Sequence, residues 1–88
     1  MIEIDGLFHN VDFAIKTEKT TEEEKIYYIS LDEDYSFNIA DGFEYELSLI
    51  KGLSKLELKG KFYQVSLCEI VVRVEKNENG LFNEKLIN

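Results

Sequence analysis

Apolar and polar residues alternate with a period of two along almost the whole chain, and no stretch sustains a helical period. A segment of this kind hides its apolar side only when neighbouring strands extend the surface. The expected class is therefore all-β. Val11, Phe13, Ile15 and Thr17 alternate with Asp12, Ala14, Lys16 and Glu18 as a half-buried strand. Thr20 to Lys25 is a polar run suited to a hairpin loop. Ile26 to Leu31 is dense in β-formers. Phe37 to Ala40 is short enough for a minor strand, and Asp41-Gly42 follows as a turn.

Phe43, Tyr45, Leu47 and Leu49 alternate with Glu44, Glu46 and Ser48 in the clearest strand of the chain. Leu56 and Leu58 define another, which Gly60 is expected to close. Phe62 to Glu75 reads as the longest β run. It puts Cys68, Ile70, Val72 and Val74 on one parity and Tyr63, Val65 and Leu67 on the other, so a bulge near Leu67 or burial of both faces is expected. Asn79-Gly80 favours a type I′ hairpin. Residues 81–88 fit a short strand, a helix or a frayed end about equally. The sum is a single domain, 1–88, of about six antiparallel strands in a meander that closes into a small barrel or sandwich.

Composition then narrows the function. Hydrophobic residues make up 44% of 88, which suffices for one thin core. Cys68 is the sole cysteine, so no intrachain disulfide staples the fold. Met1 to Asp5 carries no basic region followed by an apolar run, and no apolar stretch is long enough to span a bilayer. A cytoplasmic protein with no membrane partner is expected.

Catalytic and metal chemistry find little support. His9 is the only histidine, and with Cys68 it forms the one conceivable nucleophile pair. Cys68 is expected to be buried in an apolar strand. Asp32, Asp34 and Ser36 have the alternate spacing of a calcium loop. Phe37 stands where that loop needs glycine, and Phe43 where it needs a closing glutamate. No cofactor, metal or catalytic residue is assigned, and the chain is expected not to be an enzyme.

Charge is unevenly placed. Residues 17 to 46 carry ten acids and two lysines, which equals the net charge of −8 for the whole chain. Carboxylates two residues apart on a strand lie about 6.8 Å from each other and present a row of negative charge. Glu44 and Glu46 have that spacing, and Asp32 and Asp34 can extend it. Tyr27, Tyr28, Tyr35 and Tyr45 lie among these acids, and tyrosine is enriched at binding hot spots. A non-catalytic interaction module is expected, such as an inhibitor, immunity, anti-defence or adaptor protein. Its partner would be a protein with a basic surface.

Two alternatives stand beside this reading. If no bulge interrupts the long run, Val65, Leu67 and Val71 form an apolar stripe that would let the chain associate with copies of itself in a larger assembly. Lys51, Lys55, Lys59 and Lys61, with Phe62 and Tyr63 beside them, suit single-stranded nucleic acid. The net negative charge and the single arginine, Arg73, oppose that last option.

Overall fold

The computed structural model describes all 88 residues, Met1 to Asn88. It is all-β, with eight antiparallel strands in one sheet and no helix. The strands are β1 (Ile2–Ile4), β2 (Leu7–His9), β3 (Phe13–Thr20), β4 (Glu24–Leu31), β5 (Glu44–Lys51), β6 (Ser54–Ser66), β7 (Glu69–Glu75) and β8 (Glu84–Ile87). Their order across the sheet is β2-β1-β5-β6-β7-β4-β3, and β8 pairs with β6. This is not a meander, because β1 pairs with β5 and β4 pairs with β7 across long stretches of chain.

The sheet does not close into a barrel. Its two edge strands, β2 and β3, share no ladder. Yet only Asn10, Val11 and Asp12 separate them in sequence, a span of at most about 14 Å. The sheet must therefore curl until its edges come near each other. Its inner side holds one core that includes Ile2, Val11, Tyr27, Ile29, Phe62, Ile70, Val72 and Val74.

β6 makes the curl possible. Along one edge it pairs with β5 from Ser54 to Lys61. Along the other it pairs first with β8, at Lys55–Leu58, and then with β7, from Gly60 to Ser66. Gly60 sits where the partner changes, opposite Tyr45 on one side and Val74 on the other. A Cβ at Gly60 would lie 2.5 Å from the Arg73 carbonyl oxygen, so only glycine lets the two backbones approach this closely. The expectation that Gly60 ends its strand is thus corrected.

Other expectations also change. Phe62 to Glu75 is two strands, not one run: Leu67 and Cys68 form the turn between β6 and β7. The register slips between Gln64 and Ser66, so the bulge is at Val65. Cys68 is exposed on that turn, not buried. Residues 37–40 form no strand. Instead Gln64 substitutes for a ladder: its amide oxygen accepts from the Phe37 N–H (3.1 Å) and its amide nitrogen donates to the Tyr35 and Ser66 carbonyls. Asn77 to Leu81 form a wider loop, closed by the Asn77 carboxamide oxygen, which accepts from Asn79 and Leu81. Asn79 does not take the positive φ that a type I′ turn requires. The type I′ geometry occurs at Asp5 (φ 48°) and Gly6 (φ 85°), between β1 and β2.

His9, at the end of β2, is buried against the Tyr35 and Phe37 rings. Its Nδ1 is 2.7 Å from the Tyr35 hydroxyl, and its Nε2 has no partner. Protonation would place an N–H and a charge where nothing accepts them, and burial lowers the pKa below its ordinary 6.5. The unfolded chain therefore binds a proton that the folded chain resists. Stability from this site is fully present above about pH 6.5 and declines as pH falls below it, by at most about 1.4 kcal/mol per pH unit. Urea denaturation at pH 7.5 and 5.5 should show this fall. His9→Gln should reduce it, and an unchanged slope in that variant would assign the fall to other groups.

Candidate interaction face

Two of the tyrosines expected on an acidic face, Tyr27 and Tyr45, turn toward the core. Tyr27 is buried on the inner side of β4. Its hydroxyl donates to Glu84, and Glu84 also accepts from the Lys25 ammonium (2.9 Å). Burial pushes the Tyr27 phenol up to about 12, and Tyr27 and Glu84 raise the Lys25 pKa. This cluster ties β8 to β4, at one end of an open cleft of about 510 Å³. Phe13, Ile15, Leu49, Leu56 and Leu86 line much of the cleft.

Tyr45 also turns inward, edge-on to Phe62, with its hydroxyl donating to the Ala40 carbonyl (2.9 Å). Tyr35 is half-buried against His9. Asp32 and Asp34 are exposed in the segment after β4, outside any strand. Glu44 and Glu46 do face outward from β5. Their cross-strand neighbours on β6 are Lys61 and Lys59. Lys59 Nζ approaches Glu44 at 3.9 Å. The acidic strand and the basic hairpin thus form one mixed surface, and the charges are balanced where strands adjoin.

A different constellation stands part-exposed. β4, β7 and the part of β6 that follows Gly60 are adjacent, and their register sets Tyr28, Val71 and Tyr63 side by side on the outer face. Tyr28 is 37% exposed, and Val71 and Tyr63 are half-buried, with Gly42 close beside the Tyr63 ring. The next row toward the β3–β4 turn holds Ile26, Arg73 and Lys61. Arg73 Nε donates to Glu24 (3.1 Å) and one terminal nitrogen donates to the same carboxylate. That guanidinium holds the Glu24 carboxyl below its ordinary pKa. The row on the other side holds Ser30, Glu69 and Ser66. At the tip of the same hairpin, Val65 and Leu67 are 63% and 54% exposed.

The expected stripe of Val65, Leu67 and Val71 is broken by the bulge at Val65 and the turn at Leu67: Val65 and Leu67 are exposed at the hairpin tip, and Val71 is half-buried in the outward row of β7. Sequence reasoning missed that Tyr28 and Tyr63 flank Val71. The signal was present in parity, since Tyr28 lies out of phase with Ile29 and Leu31, but their proximity depends on the β4–β7 pairing. Edges offer a poorer surface than this face. β2 and β8 are short, and β3 carries a bulge at Lys16 together with exposed Lys16 and Lys19. These features blunt edge-to-edge pairing.

No three histidine, cysteine, aspartate or glutamate side chains converge to hold a metal ion. His9 and Cys68 are occupied separately, His9 by Tyr35 and Cys68 by Ser66. No helix is long and apolar enough to cross a membrane. Comparison with protein-family models, with curated proteins and with solved structures finds no match for this chain.

Proposed function

We propose that the protein is a non-catalytic protein-interaction module whose contact surface is the outer face of β4, β7 and β6. The observation that carries this reading is the contiguous row Tyr28–Val71–Tyr63, left part-exposed in a chain whose strand edges are blunted. Tyrosine contributes large contact area at low entropic cost, and a valine between two tyrosines gives the row a flat apolar centre. Charged groups on both flanks form a rim. The basic-partner version has weaker support, because Glu44 and Glu46 lie against lysines of their own sheet. A reducing, cytoplasmic setting suits the exposed thiol of Cys68.

Val71→Lys tests the reading with little risk to the fold, since the side chain points away from the core and the ladder is unchanged. The tagged variant is expected to lose at least tenfold in association with whatever protein, foreign or its own copy, the wild-type chain retains. Its melting temperature should stay within a few degrees of wild type. Equal retention by the two proteins would remove this face as the contact surface.

A further inference from the structure

The partner for this face can be read from the charges around it. Glu69 and Arg73 lie on β7 two residues either side of Val71, both outward and both exposed. Consider two copies stacked face to face about a two-fold axis that runs along the row Tyr28–Val71–Tyr63. Val71 then lies over Val71, and each strand direction is reversed. Glu69 of each copy lies over Arg73 of the other, and the contact repeats symmetrically. The neighbouring positions bring Ser30 over Ile26 and Ser66 over Lys61, so no like charges meet in these rows. An axis along β7 would instead stack Glu69 on Glu69 and Arg73 on Arg73.

The single chain leaves the needed groups free. Glu69 makes no ion pair, and Arg73 uses Nε and one terminal nitrogen on Glu24, which leaves its other terminal nitrogen to donate. Resting on the interaction-face reading, we infer that the partner is a second copy of this chain, joined in an isologous dimer through Tyr28, Val71 and Tyr63 with reciprocal Glu69–Arg73 pairs. The patch spans three strands and, along β7, seven residues, roughly 14 by 23 Å. That places the dimer in the small, reversible class of interfaces.

The test uses complementary charge variants in sedimentation velocity at low salt, over a concentration series up to about 1 mM. Glu69→Arg leaves two cations on β7. Arg73→Glu is made together with Glu24→Lys, so that the internal ion pair is reversed and not lost. Wild type is expected to dimerise reversibly, and each variant alone to associate roughly tenfold more weakly or worse. The equimolar mixture of the two variants should regain the dimer. Across that mixed interface the introduced arginine of one copy meets the introduced glutamate of the other, and the native Arg73 of the first meets the native Glu69 of the second. Melting curves of each variant verify the fold. A wild-type chain that stays monomeric throughout, or a mixture that does not recover association, overturns the second-copy assignment. If such a monomer still loses a captured foreign protein on Val71→Lys, only the identity of the partner fails. If Val71→Lys changes no association at all, the face itself fails with it.

Discussion

Phe62→Ala is expected to destabilise the fold by about 3–5 kcal/mol, the usual loss when a fully buried phenylalanine is truncated. Phe62 has no exposed surface, and its ring meets Phe37 (centroids 5.3 Å) and Tyr45 (6.2 Å) edge-on. It sits on the part of β6 that faces β7, where it opposes Val72. A domain of 88 residues has a total stability of roughly 4–13 kcal/mol. The variant should therefore lose about a quarter or more of it, and at the lower end it would not remain folded. Urea denaturation gives the number directly. A loss below about 1 kcal/mol would mean that Phe62 does not anchor the core.

Gly60→Ala is the second large effect, and its sign separates two explanations. In an ordinary strand, replacing glycine by alanine stabilises by about 0.5–1 kcal/mol, because the unfolded chain loses freedom. Gly60 does not have a positive φ, so that gain would apply here if space allowed. Space does not allow it. The added carbon would meet the Arg73 carbonyl oxygen at 2.5 Å and the carbonyl carbon at 3.0 Å. Backbone cannot swing aside as a side chain can, so β6 and β7 must part. A net loss of about 2 kcal/mol or more is expected. Unchanged or increased stability in thermal and urea unfolding would contradict the close approach of β6 and β7 at this point.

β3, β4 and β5 were legible in the sequence through their β-forming residues and, in β3 and β5, their alternation, although β3 buries only Phe13 and β5 buries Leu47, Ser48 and Leu49 in succession. What escaped notice has specific physical causes. β1 and β2 have three residues each, too few to show a period. Asp5-Gly6 nevertheless carried the type I′ signal that the structure uses. Leu67 and Cys68 make a turn without any turn-forming residue, so nothing local distinguishes them from strand. Gly60 looked like a stop because glycine usually is one. Its real role depends on a backbone 13 positions away, at Arg73.

The candidate site was legible in part. Parity groups Val71 with Val65 and Leu67 only where no bulge intervenes; the bulge at Val65 and the turn at Leu67 break that pattern, and Val71 alone keeps its place in the outward row of β7. The acidic face did not survive as drawn, because charge clustered along residues 17–46 is not charge clustered in space. Glu44 and Glu46 come to lie beside Lys61 and Lys59, and Tyr27 and Tyr45 turn to the core. Periodicity assigns a residue to a face. It cannot assign neighbours, and the row Tyr28–Val71–Tyr63 is made entirely of neighbours.

The pairing of β4 with β7 also sets an order of events during synthesis. β4 ends at Leu31 and β7 begins at Glu69, so β4 must wait for its partner while most of the chain is made. The hairpins β1–β2, β3–β4 and β5–β6 can form from local contacts, but the sheet cannot be joined until β7 is available. Non-local pairing of this kind places folding in the millisecond-to-second range. The absence of proline removes the slower isomerisation phase. Tyr28, Val71 and Tyr63 therefore come together only once β7 is made, before β8 adds its ladder to β6. A chain without β7, or an unfolded one, cannot present them together, so association through this row, as proposed, would select folded molecules and, by mass action, hold them in the folded state.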